Sequence, residues 1–182
     1  MVYLIRLNSL IFFLRFEGLF HKNSGFYDIM PIMEVIMKLG IASDHRGYKL
    51  KERLKKYIIK EGYELEDFGT DSLETVDYPI YGIKLAEAVR DKKVDLGIAI
   101  CGTGIGISIA CNKVKGIRCA RIVSAEEAKI TKVHNMANIV ALNEKMPLFV
   151  AKDIVDNFVK TEYEDDERFV RRVDEISKYE GK

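Results

Sequence analysis

The 182-residue sequence has no tryptophan and only three cysteines, Cys101, Cys111 and Cys119. No two of them form a CxxC pair, which excludes a zinc-ribbon pattern and a disulfide framework. A reducing cytoplasm is the expected setting. An excess of one charge is also missing. The 29 basic and 28 acidic side chains leave a formal net charge of +1, so nothing marks a nucleic-acid partner. Long apolar runs are missing as well. The stretch from Met1 to Phe20 is cut by Arg6, Arg15 and Glu17, so no membrane span is expected. It also lacks the basic start and small-residue cleavage site of a signal peptide. Repeats and low-complexity linkers are absent. The whole sequence, 48% hydrophobic and 31% charged, has the composition of a soluble globular protein of one domain.

Strand and helix patterns begin at Met37. Residues 1–36 are expected to lie outside the core fold as an N-terminal extension, with Met37 as an alternative start and 37–182 as the working domain. Lys38 to Ser43 reads as a strand, and Tyr48 to Lys60 as a helix with Leu50, Leu54, Tyr57 and Ile58 on one face. Further strands are expected at Tyr63–Phe68, Val94–Ile100, Ile117–Val123 and Ile139–Leu142. Helices are expected from about Ile80 to Asp91, after the glycine-rich run that follows Ile100, from the Ser124 capping box to His134, from Pro147 to Val159, and from Asp166 to Lys178. This alternation predicts an α/β fold, a Rossmann-like three-layer sandwich around a five-stranded parallel sheet of order 2-1-3-4-5. Its switch crevice lies between the first and third strands, where the turns at Asp44-His45 and Cys101–Gly106 both end.

The run Cys101-Gly102-Thr103-Gly104-Ile105-Gly106 is the most chemically loaded in the chain. Strand, glycine turn and helix start make a cradle of N–H groups, and a cysteine at its edge places a thiol where a thiolate is favoured. A Walker loop requires a lysine after Gly106, and none follows. A dinucleotide fingerprint requires glycine where Ile107 stands, and a cysteine phosphatase loop requires arginine at that same position. An oxyanion cradle with a thiol at its mouth is what remains. Cys111 and Cys119, in a helix and a strand, are expected to be buried packing residues.

Four motifs in order, Ser43-Asp44-His45-Arg46-Gly47, Asp77-Tyr78-Pro79, Cys101 to Gly106 and His134-Asn135, resemble type B ribose-5-phosphate isomerase, a family shared with galactose-6-phosphate isomerase subunits. The resemblance runs from Met37 to near the C-terminus. It implies interconversion of ribose 5-phosphate and ribulose 5-phosphate, with no cofactor and no metal. It makes Cys101 the base that moves the proton between C1 and C2, with the N–H groups of Gly102, Gly104, Ile105 and Gly106 as the enediolate hole. Thr103 would hydrogen-bond thiolate or substrate. His134 would open the sugar ring, with Asn135 beside it, and Asp44, His45 and Tyr78 would line the sugar and phosphate pocket. Arg168 and Arg172, four apart on one face of the last helix, match phosphate-binding positions, whereas Arg171 faces elsewhere. Lys145 stands where relatives often carry arginine and lacks the bidentate fork. A six-carbon substrate, allose or galactose 6-phosphate, is the nearest alternative. A flavodoxin-like binding module is a more distant one.

The expected topology separates two of these residues. The helix that ends near His134 starts at the carboxyl edge of the sheet and runs back, so His134 should lie about 15–20 Å from Cys101. A homodimer with active sites shared between subunits is therefore expected, with pairing of dimers into a tetramer left open.

Overall fold

The computed structural model describes residues 5–7, 10–12 and 37–181. Within the N-terminal unit, β1 (Ile5–Leu7) and β2 (Leu10–Phe12) pair antiparallel. Most of the expected extension, 1–36, lies outside the described residues.

The second unit carries the alternating elements in sequence order: β3 (Lys38–Ser43), α1 (Tyr48–Lys60), β4 (Glu64–Asp67), α2 (Tyr78–Arg90), β5 (Leu96–Cys101), α3 (Ile105–Cys111), β6 (Cys119–Arg121), α4 (Ala125–Asn135), β7 (Ile139–Asn143), α5 (Leu148–Lys160) and α6 (Glu167–Glu180). The parallel sheet has the order β4-β3-β5-β7-β6. In the numbering of the core strands this is 2-1-3-5-4, so the last two strands are exchanged relative to the expected 2-1-3-4-5. The physical reason lies in their side chains. Ile139, Val140, Ala141 and Leu142 are fully buried, as an interior parallel strand requires on both faces. β6 has only three residues and ends on exposed Arg121, which suits an edge.

The two-residue period of the strands sorts the core into two layers. Leu39, Ile41, Ile98, Ile100, Val140 and Leu142 face one way, against Leu50, Leu54 and Ile58 of α1, Ala128 of α4 and the α5 residues Ile154, Val155 and Phe158. Ala42, Ala99, Cys101 and Ala141 face the other way, against Leu85, Ala86 and Val89 of α2 and Ile107 and Cys111 of α3. Cys101 thus ends β5 on the face covered by α2 and α3. The small residues of that face leave room for the helices to sit close.

Helix α2 begins at Tyr78, two residues before the expected start, because Pro79 is tolerated in a first turn where its missing N–H has no partner to lose. Ser124 caps α4 as expected, its hydroxyl accepting the Glu127 N–H at 3.2 Å. The Glu127 carboxylate accepts from Val123 N–H, not from Ser124. Pro147 stands at the N-cap of α5 and not at its first helical position.

Candidate active site

Parallel β3 and β5 are neighbours, so the turns that follow them meet at the carboxyl edge of the sheet. Asp44 N–H donates to Ile100 O at 3.3 Å, and the buried Asp44 carboxylate accepts Gly47 N–H at 2.9 Å. His45 follows, with Nδ1 3.2 Å from both the backbone N and O of Val76. Ser43, at the end of β3, is fully buried with a hydroxyl that has no hydrogen-bond partner. These residues form the end of β3 and its turn at the carboxyl edge.

The glycine turn follows β5 at the same edge. Gly104 adopts φ +76°, a left-handed conformation that side chains disfavour, and turns its N–H onto Cys101 Sγ at 3.2 Å. The Thr103 hydroxyl accepts Ile105 N–H at 3.2 Å, so it steadies the start of α3 from within the turn. A Cβ on Gly106 would lie 2.7 Å from Cζ of Tyr78. The missing side chain is what lets the Tyr78 ring rest on the turn, and the early start of α2 is what brings it there. Lys145 lies just past the end of β7, whose Asn143 pairs with Cys101 in register. Cys101, Thr103, the glycines, Ile105, Asp44, His45, Tyr78 and Lys145 therefore share one edge.

His134, Asn135, Arg168 and Arg172 do not. After α4 ends at Asn135, Met136 takes a left-handed cap, and Asn138 O accepts Gly97 N–H at 2.9 Å. Gly97 precedes Cys101 by four residues of strand, a run of about 13 Å. His134 thus belongs to the amino edge of the sheet. There its ring stacks on Phe169 of α6, with centroids 4.2 Å apart and planes at 27°. Arg168, next along α6, lies with its guanidinium 5.3 Å from the Phe169 ring and pairs with Asp166 at 2.8 Å. That guanidinium holds the Asp166 carboxyl down at about 2. Arg118 donates to the carbonyls of Asn135 and Met136 and fixes the end of α4. A cavity of about 390 Å³ opens here, taking in Asn135, Arg118, Thr131 and Glu180 but not Cys101. Lys132, one turn of α4 from its end, is desolvated by burial and further disfavoured by Arg118 and Lys92, which brings its ammonium down to about 8.

Cys111 and Cys119 are buried as expected, Cys111 Sγ donating to Gly82 O at 3.3 Å. Among the described residues no group of three or more His, Cys, Asp or Glu is arranged to hold a metal, and no helix is long and apolar enough to cross a membrane.

Three side chains at the carboxyl edge escape sequence reasoning. Arg46 reaches across the turn to Glu144, and Arg121 of β6 donates to Thr103 O at 3.4 Å. Arg46 sits inside a motif already singled out, and Glu144 adjoins Lys145. The signal was present, but their pairing spans 98 residues. Phe169 under His134 is the fourth, and only its place beside Arg168 hinted at it.

The chain is similar over most of its length to known sugar phosphate isomerases. The model of the Ribose/Galactose Isomerase family matches residues 39–176. A putative sugar phosphate isomerase, YwlF of Bacillus subtilis, is 43% identical over 148 residues, which is 80% of this chain and 99% of the relative. Ribose-5-phosphate isomerase B of Escherichia coli is 40% identical over 144 residues, or 79% of this chain and 96% of that protein. The structure of Clostridium thermocellum ribose-5-phosphate isomerase B superposes with a TM-score of 0.77 at 49% identity, covering 80% of this chain and 98% of the other. These likenesses place the chain in the ribose/galactose isomerase family, among the type B ribose-5-phosphate isomerases, and make it an isomerase.

Proposed function

We propose that the chain interconverts ribose 5-phosphate and ribulose 5-phosphate through an enediolate. The observation that carries this reading is the Cys101 sulfur at the end of β5, held by Gly104 N–H at 3.2 Å, on the strand that neighbours β3 and its Asp44-His45 turn. A base must take a proton from C2 of the open-chain aldose and return one to C1, while donors hold the charge that develops on oxygen. Cys101 is assigned as that base and the glycine turn as the oxyanion cradle. Asp44 and Tyr78 hold sugar hydroxyls. His45 and Lys145 on this edge, with Arg168 and Arg172, hold the phosphate. His134 delivers a proton to the ring oxygen as the C1 hydroxyl proton leaves, which opens the ring. A type B relative from Mycoplasma genitalium, 34% identical with a TM-score of 0.75, has been solved with bound ribulose-5-phosphate, which supports a five-carbon ligand.

Ring opening and proton transfer act on one substrate, yet His134 and Cys101 occupy opposite edges of one sheet. The reading therefore includes a homodimer in which His134, Asn135, Arg168 and Arg172 of one subunit complete the Cys101 site of the other. Ile80 and Ile83 of α2 and Ile105 and Ile109 of α3 are exposed apolar side chains flanking the glycine turn, which supports a partner on that side. Three free thiols fit a reducing cytoplasm.

An isomerase assay across five- and six-carbon aldose phosphates tests the proposal. Ribose 5-phosphate should turn over fastest, and Cys101→Ala should lose roughly 10²–10⁴-fold in kcat. Faster turnover of a six-carbon substrate would reassign the sugar. An unaffected Cys101→Ala would remove the base.

A further inference from the structure

The crevice contains an ion pair that the proposed chemistry does not use. Arg46, in the turn after β3, directs Nε to Glu144 Oε1 at 3.0 Å and a second guanidinium nitrogen to the same oxygen. The end of the Arg46 side chain packs against Gly102 of the glycine turn. A Cβ built on Gly102 would meet Arg46 Nε at 3.0 Å, Cδ at 3.1 Å and Cζ at 3.2 Å. The positive charge is therefore one residue from Cys101, and its guanidinium is favoured by Glu144 first and, more weakly, by Asp44 and Cys101.

Holding the loops together does not require this pair. Glu144 N–H already donates to Cys101 O at 2.9 Å, Lys145 N–H to Asn143 Oδ1 at 3.0 Å, and Gly47 N–H to Asp44 at 2.9 Å. With the Arg46 side chain half-exposed to water, the pair contributes little to folding. Over a thiol, the same two charges act differently. A cation beside the sulfur favours the thiolate, and a carboxylate tied to that cation offsets it. Other charged or titratable residues at this edge are Asp44 and His45 from the β3 turn, Tyr78 against Gly106, Arg121 on Thr103 O from β6, and Lys145 beyond β7. Arg46 packs against Gly102, next to Cys101, while Arg121 packs against Gly104 further along the turn, and Glu144 is the sole ion-pair partner of Arg46 among the described residues.

We propose that Arg46 and Glu144 form a charge clamp over the glycine turn, in which Arg46 promotes ionisation of Cys101 and Glu144 restrains it. Both act as positioning residues for charge, without themselves taking a proton from substrate. The inference rests on Cys101 as the base, but its test does not need turnover.

Thiolate absorbance in the ultraviolet is titrated against pH for the full-length wild type, Arg46→Ala, Arg46→Lys and Glu144→Gln, each read against its own Cys101→Ala counterpart. The difference isolates the one sulfur and needs no reagent to reach it. Arg46→Ala should move the midpoint up by about half a pH unit, roughly threefold in thiolate fraction, and Glu144→Gln should move it down by a similar amount. Arg46→Lys keeps the charge and should stay near wild type. The displacements should shrink in 1 M salt. A purely structural pair would move both variants the same way, because either substitution breaks the same contact. Movement in one direction, or none in Arg46→Ala, overturns the clamp. An absence of isomerase turnover in the wild type would instead count against the function proposed above and leave this titration readable.

Discussion

Gly104 concentrates the demands of the site in one residue. Its φ of +76° turns an N–H onto Cys101 Sγ, and a Cβ there would stand 3.0 Å from the Leu142 carbonyl carbon and 3.1 Å from its oxygen, which is backbone and cannot swing away. Gly104→Ala should therefore destabilise the protein by about 1–3 kcal/mol, from left-handed strain plus displacement of β7. Chemical denaturation measures that loss. Turnover should fall further than stability accounts for, because the N–H aimed at the sulfur moves with the turn. A variant with wild-type kcat would mean that this N–H plays no part. Much at this scale is legible in sequence. Cysteine followed by alternating glycines after an apolar run forces a strand, a tight turn and a helix start, whatever the rest of the chain does. Arg46 with Glu144 and His134 with Phe169 were not legible, because each pair joins residues whose nearness depends on the whole sheet.

At the scale of elements, one ion cluster ties α1 to β4. Lys51 is almost fully buried and pairs with Asp67 and, at 3.1 Å, with Glu52, while Lys55 reaches Asp67 at 2.7 Å. Burial alone would raise the Asp67 carboxyl. The hydrogen bonds from Lys51, Lys55 and Gly69 N–H outweigh it and hold the group below its ordinary 3.8. A carboxyl lowered in the folded state contributes stability that is complete above the unfolded value and is lost as pH falls through the folded one. Asp67→Asn should cost about 1–3 kcal/mol at neutral pH, since it leaves buried Lys51 with Glu52 alone. The gap in thermal midpoint between wild type and variant should narrow as pH drops below 3.8. A gap that stays constant into acid would show that the Asp67 charge does not bear on stability. The periodicity of α1 was plain in the sequence, down to the bounds Tyr48 and Lys60. The exchange of β6 and β7 was not, because strand order depends on which strand can bear burial on both faces. The fully buried Ile139–Leu142 run against the short, Arg-ended β6 shows the cause only after the fact.

For the whole molecule, the separation of Cys101 and His134 to opposite edges of the sheet is the central fact. Cys101 and its cradle occupy the carboxyl edge, while His134, stacked on Phe169 beside Arg168, belongs to the amino edge. This separation follows from parallel topology, since a helix that leaves one edge returns to the other before the next strand begins, and so it was readable from the alternation of elements alone. The exposure of Ile80, Ile83, Ile105 and Ile109 was not, because it depends on how α2 and α3 pack on the sheet. If sites are completed across a two-fold interface, inactive Cys101→Ala and His134→Ala subunits complement each other. A mixed dimer pairs one intact Cys101 edge with one intact His134, while its second site carries both defects. After equal mixing and full exchange, roughly a quarter of wild-type activity should return. Native mass measurement on differently tagged subunits establishes that exchange has occurred. Activity that stays at zero in a sample proven to contain mixed dimers would place His134 and Cys101 of one subunit in the same site, and the sheet would have to open to bring them together.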